Sequence, residues 1–297
     1  MTRQPEVNRS HVPLSLAFEQ ASMLGTLFRI TVKSLGPTGC RSQNPESFTP
    51  MRAVVPAPSE KLVTCYAEWS GAGDRYRGVL PPHMFSKWAL PIATRVIEQT
   101  RYKLADIVNY GVTMKVNGEL PRGAALHVAV SITSLKESKT SARVEVELVS
   151  GTEQQPGAVV ATLHILFILS ENRRDRVRSV KLQPQWSTAG RWSAASDDGF
   201  RYALLTGDFN PIHWIGLAGR LSPFGRTVLQ GMGLLARSYE CLADAGPINE
   251  IDVRFLKPVP LPSTELCVQH TAPDMEGWRA LRLAGQGEDV HMSGHYR

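Results

Sequence analysis

The order of its patterned segments constrains this chain most, because that order occurs twice. In the front part, Phe28, Ile30 and Val32 alternate with Arg29, Thr31 and Lys33, a period of two that predicts a half-buried strand. Lys61 to Trp69 (KLVTCYAEW) reads as another strand, and Pro81-Pro82 then interrupts the chain. Phe85 to Leu104 has helical character, with Ile92, Val96 and Ile97 near helical spacing and Pro91 expected to open the helix rather than sit inside it. Four strand-like runs follow: Tyr110–Val116, Ala125–Leu135, Ala142–Val149 and Val159–Leu169, punctuated by Gly118, Gly123 and Gly151. The rear part repeats the scheme. Ser196-Asp197-Asp198 offers an N-cap for a short helix through Leu205, a loop follows, and Leu229–Leu242 reads as a central helix. Asn249–Leu256, Glu265–Thr271, Trp278–Ala284 and Val290–Tyr296 are then four short strands. A helix followed by about four strands, twice over, predicts an α+β architecture with antiparallel sheet and points to a duplication in which order rather than identity is shared.

Between the two rounds, residues 171–191 are polar and basic, with four arginines between Arg173 and Arg178. We read them as a linker separating an N-terminal domain, 1–170, from a C-terminal domain, 192–297. A chain of 297 residues can bury a core without a disulfide or metal staple. Its four cysteines are scattered, with no C-x-x-C pair, which predicts reduced thiols in a cytoplasmic protein. No apolar run is long enough to span a bilayer, and no signal peptide is evident. The net charge of +6 permits an anionic partner, but acidic residues interrupt the arginine cluster and no aromatics interleave it, so no nucleic-acid surface is expected. The six tryptophans, Trp214 included, read as core or pocket walls.

Most signatures of chemistry are missing: no phosphate loop, no dinucleotide-binding glycine turn, no H-E-x-x-H, no nucleophile elbow, and no histidines at metal spacing. One stretch stands apart, Tyr202-Ala-Leu-Leu-Thr206-Gly207-Asp208-Phe-Asn210-Pro211-Ile-His213-Trp-Ile-Gly-Leu-Ala218. It sets a carboxylate and an imidazole five residues apart around a turn, since the residue before a proline avoids the helical region. Two such groups can converge on one water for acid–base work. On spacing alone the other reading stays open: Asp208 and Asn210 as turn formers, His213 as a cap.

The stretch resembles the hydratase motif of MaoC-like dehydratases and (R)-specific enoyl-CoA hydratases, matched at Tyr202, Thr206, Gly207, Asp208, Asn210, Pro211, Ile212, His213 and Ala218. The downstream Ser222–Gly233 segment also resembles the family's next block, in which a Gly-Met pair opens the central helix; many members have His where this chain has Gln230. The strict resemblance covers Tyr202 to Gly233. It implies the hot-dog fold, an antiparallel sheet wrapped around one long helix, and here two tandem units with a degenerate N-terminal one lacking an Asp/Asn/His set. One active site per chain is therefore expected.

It further implies a hydro-lyase that reversibly hydrates a trans-2-enoyl thioester to the (R)-3-hydroxyacyl thioester, a reaction of fatty-acyl metabolism. Asp208 and His213 would activate the water, Asn210 would orient the loop or the carboxylate, and the Gly231 amide would stabilise the thioester oxyanion. No metal or redox cofactor is called for, because CoA or phosphopantetheine enters as part of the substrate. Arg220 and Arg226 flank the site and can meet CoA phosphates or an acidic carrier protein, unless they are solvated loop residues. Partners are thus an acyl-CoA or an acyl-carrier protein, and a homodimer of chains is compatible with the fold. An acyl-CoA thioesterase of the same fold and a non-catalytic thioester-binding subunit remain alternatives.

Overall fold

The computed structural model describes residues 11–20, 48–169, 185–286 and 289–297. The strand expected at Phe28–Val32, Cys40 and the Arg173–Arg178 cluster lie outside them. Among the described residues ten antiparallel strands form one sheet: β1 (Met51–Val55), β2 (Ile107–Val116), β3 (Leu126–Glu137), β4 (Ser141–Gly151), β5 (Val159–Ile168), β6 (Ser187–Ala194), β7 (Glu250–Phe255), β8 (Ser263–His270), β9 (Arg279–Ala284) and β10 (Val290–Tyr296). Their spatial order is β1-β3-β4-β5-β2-β7-β10-β9-β8-β6. Strand for strand this order is symmetric about the β2–β7 seam, where Val112 faces Val253. Among the described residues each half contributes an edge strand, two main helices and four further strands, and the rear half adds one short helix, an order that fits a duplication.

The helices are α1 (Glu60–Ser70), α2 (Ser86–Ile97), α3 (Asp198–Thr206), the short α4 (Gly216–Leu221) and α5 (Gly231–Ala243). α2 packs on β1, β3 and β4, while α5 packs on β6, β8 and β2. One continuous apolar core, including Trp88, Ala93, Val146, Leu235 and Val268, runs through both halves.

Three expectations need correction. Lys61–Trp69 is not a strand but most of α1. Its β-forming residues bury one helical face through Leu62, Val63, Tyr66 and Trp69. The Ser59 side chain accepts from the Leu62 amide at 3.1 Å, and Gly71 closes the helix in the left-handed region at φ 92°. Pro91 lies inside α2, because the helix starts earlier, from a 3-10 turn over Pro82–Phe85; the helix ends at Ile97, short of Leu104. At the start of α3, Asp197 takes the N-cap position without a capping bond. Asp198 turns inward instead, accepting from Trp69 Nε1 at 3.1 Å and Arg237 Nη1 at 2.8 Å, which ties the two halves together. The edge strands β1 and β6 went unread, and β6 begins at Ser187, inside the stretch read as linker. The other eight strands match their expected runs within a few residues.

The first turns of the two halves also correspond in sequence. Tyr66-Ala-x-x-Ser70-Gly71 ends α1, and Tyr202-Ala-x-x-Thr206-Gly207 ends α3. Both glycines are left-handed caps, and both hydroxyls donate to a carbonyl one turn back.

Candidate active site

Asp208 follows directly on the Gly207 cap (φ 88°), so the helix end throws the carboxylate out of α3 into the loop. The Asp208 amide donates to Thr206 Oγ1 at 3.4 Å, and Asp208 Oδ1 accepts from the Asn210 amide at 3.4 Å. Asn210 Oδ1 in turn accepts from the Ile212 amide at 3.4 Å and caps the 3-10 turn Pro211–His213. Asp208 and His213 are half-buried, whereas Asn210 is exposed. Beneath the loop, burial pushes the Tyr202 phenol well above its ordinary range, and the Asp208 charge adds to it.

His213 is held in one tautomer. Its Nδ1 lies 2.8 Å from the Val228 carbonyl, which can only accept; Nδ1 therefore carries the hydrogen and Nε2 of the neutral ring is left as a proton acceptor. The 3-10 turn leans so closely on α3 that a Cβ at Gly199 would lie 1.9 Å from the His213 carbonyl oxygen. Glycine is required there for the approach.

Gln230 joins the parts. It is 2% exposed and stands at the N-cap of α5. Its Nε2 donates to the carbonyls of Gly199 at 3.0 Å and Asp208 at 3.3 Å, which fixes the orientation of the amide. Its Oε1 has no hydrogen-bond partner among the described residues. Thus residues 228–230 hold both His213 and the Asp208 loop, and the next residue, Gly231, opens α5. The first amides of a helix have no acceptor within it and carry the positive end of its dipole. A Cβ on Gly231 would lie 2.9 Å from the ring of Phe255 at the end of β7, so a bare backbone is presented there.

The structure therefore brings Asp208, Asn210, His213 and Gly231 onto one frame. It places Arg220 and Arg226 elsewhere, exposed at the end of α4 and in the loop after it. Arg226 lines a cavity of about 500 Å³, with Phe224, Val228, Lys257 and Pro260. Trp69 and Trp88 are core residues as expected, but Trp214 is 39% exposed and packs edgewise on Phe209. Gly199, Val228 and Phe255 were missed by sequence reasoning. A glycine in the first turn of a helix was the one visible signal.

Residues 172–284 match the family profile described as "MaoC like domain". HtdX of Mycobacterium tuberculosis superposes with a TM-score of 0.68 at 19% identity over 84% of this chain and 99% of that one. A MaoC-like dehydratase from Phytophthora capsici gives 0.69 at 15% identity over 86% and 97%. A further M. tuberculosis protein, described as having a double hot-dog fold, gives 0.51 at 9% identity over 88% and 97%. No curated protein matches the chain. The fold is the hot-dog fold, with ten antiparallel strands and a few helices.

Proposed function

We propose that this chain, whose residues 172–284 match the MaoC-like domain profile, is a hydro-lyase that adds water across the double bond of a trans-2-enoyl thioester, or removes it in reverse. The observation that carries the reading is the shared frame. His213 and the Asp208 loop are both hydrogen-bonded to residues 228–230, directly before the amide of Gly231. Acid–base groups and an amide donor fixed to one rigid element suit a reaction that must move a proton while charge develops on a nearby oxygen.

In this reading a water sits between Asp208 and His213. Its oxygen bonds to C3 of the enoyl chain, and its proton passes to the pair, with His213 Nε2 the available acceptor. Electrons shift from the C2–C3 double bond to the thioester oxygen, where the Gly231 amide stabilises the charge. The enolate then collapses by taking a proton at C2. Net, H and OH add across the double bond. Asn210 keeps the loop in place by capping the Pro211–His213 turn.

Within the chain, Arg220 and Arg226 are assigned to the anionic carrier of the acyl group. Residues 1–170 are assigned as the degenerate domain and the rear half, from β6 (Ser187–Ala194) onward, as the catalytic one. The test is hydration of crotonyl-CoA followed by loss of enoyl absorbance, with Asp208→Asn and His213→Gln beside wild type. Each variant should fall by roughly 10²–10⁴-fold. Variants as fast as wild type would sink the site assignment. Release of free thiol instead of loss of the double bond would make the chain a thioesterase.

A further inference from the structure

Three residues, Asp208 to Asn210, join the cap of α3 to the Pro211–His213 turn, so their carbonyls need partners outside a regular helix. Each has one. The Asn210 carbonyl accepts from the His213 amide at 3.1 Å, within the loop. The other two accept from side chains: Asp208 from Gln230 Nε2 at 3.3 Å, and Phe209 from Trp214 Nε1 at 3.2 Å.

The same two side chains also hold the first turn of α3. Gln230 Nε2 has two hydrogens, and the second goes to the Gly199 carbonyl at 3.0 Å. The Trp214 ring packs on that of the next residue, Phe200, with centroids 5.4 Å apart. Two consecutive residues of the helix are thus tied to two consecutive residues of the loop, which folds back along α3. Gln230 makes its tie from the buried side, at 2% exposure, and Trp214 from the solvent side, at 39%.

The chemistry of the two donors fits this duty. A loop that carries both members of an acid–base pair must stay in place, because a displacement of about 1 Å misaligns the reacting groups. A lysine or arginine at either position would set a cation beside Asp208 and lower its pKa. A carboxamide and an indole grip the backbone without adding charge or a titrating proton.

We infer that Gln230 and Trp214 are positioning residues that clamp the catalytic loop from its two sides and act on the reaction through Asp208 and His213; the inference rests on the hydratase reading of that loop. Gln230→Met keeps the length of the side chain and removes both hydrogens. Trp214→Phe keeps a ring and removes the N–H. On crotonyl-CoA, kcat should fall at least tenfold in the first and at least threefold in the second, with KM within twofold of wild type. A loss through KM instead, or wild-type kcat in either variant, overturns the inference.

A second readout needs no turnover. The amides of Asn210, Ile212 and His213 are bonded inside the loop, so their hydrogen exchange reports its opening. In Trp214→Phe they should exchange at least threefold faster while the amides of β8, in the same half, keep their wild-type rates. Unchanged loop amides, or equal acceleration in β8, overturn the clamp. A wild type that hydrates nothing, but whose loop amides speed up in Trp214→Phe alone of the two sets, refutes the hydratase reading and leaves the clamp standing.

Discussion

The loop after α1 and the loop after α3 begin alike and end alike, yet of the two only the second carries the Asp208, Asn210 and His213 set. Both leave a left-handed glycine, Gly71 or Gly207. Both return through a valine–leucine pair held against a proline segment: Val79 bridges Pro121 and Leu80 donates to Leu120, while Val228 bridges Pro260 and Leu229 donates to Val259. The next residues, Pro81 and Gln230, are N-caps with nearly the same backbone angles. By this register Pro82 corresponds to Gly231. Proline has no amide hydrogen, so the front half lacks the donor that the rear half presents.

The front loop, residues 71–81, is also less than half as long as residues 207–230. Its space is filled by Tyr76 and His83, whose Oη and Nε2 donate to Glu240 Oε1 on α5 at 2.8 and 2.6 Å. Arg75 pairs with the other carboxylate oxygen of Glu240. His83 and Glu240 are 0% and 3% exposed, so the duplicated position has become a sealed polar joint between the halves. Where the rear half has a glycine amide, the front half has a proline and three side chains hydrogen-bonded to Glu240 that fasten the halves together.

Copying the front half into the rear one gives the largest expected effect. Gly231→Pro, combined with Phe255→Ala to make room for the ring, should lower hydration by roughly 10²–10³-fold relative to Phe255→Ala alone, since one oxyanion donor is removed. Proline is tolerated at the first helical position, so circular dichroism should be unchanged. Full activity in the proline variant would break the equivalence of Pro82 and Gly231.

The joint should matter for stability rather than rate. Glu240→Gln leaves buried donors short of acceptors and should cost about 1–3 kcal/mol, read from the denaturant midpoint, with kcat for hydration within twofold of wild type.

A smaller, pH-dependent effect follows from the same carboxyl. Burial works to raise its pKa, but the hydrogen bonds from His83 and Tyr76 and the Arg75 charge hold it below the ordinary 4.5. A depressed carboxyl contributes stability that is present above pH 4.5 and lost as pH falls through the folded value. The midpoint difference between wild type and Glu240→Gln should therefore shrink on acidification below pH 4.5. A constant difference would show that Glu240 keeps its ordinary pKa.

The two glycine caps sharpen the comparison last. Gly71→Ala and Gly207→Ala should each cost about 1–2 kcal/mol, because both sit at positive φ. Only Gly207→Ala, which precedes Asp208, should also slow hydration.

Much of this was legible in the chain. β2 to β5 and β7 to β10 show as runs because a strand buried on one face must alternate, and Asp208, Asn210 and His213 show because a turn, a carboxylate and an imidazole must be close in sequence to share a loop. α1 was misread because Val63, Thr64, Cys65, Tyr66 and Trp69 favour strands locally, while burial of a single helical face outweighs that preference. β6 was hidden because a partly exposed edge strand with Gly190 and Arg191 carries no apolar alternation.

By itself the sequence determined eight of the ten strands, the two central helices and the turn that sets Asp208, Asn210 and His213 close together, since each rests on contacts between near neighbours along the chain. The tertiary structure alone decided the two-fold strand order, the hold of Val228 and Gln230 on His213 and Asp208, and the closure of the front half by Glu240. Those depend on groups separated by tens to more than a hundred residues, whose meeting is set by how the two halves pack across the β2–β7 seam.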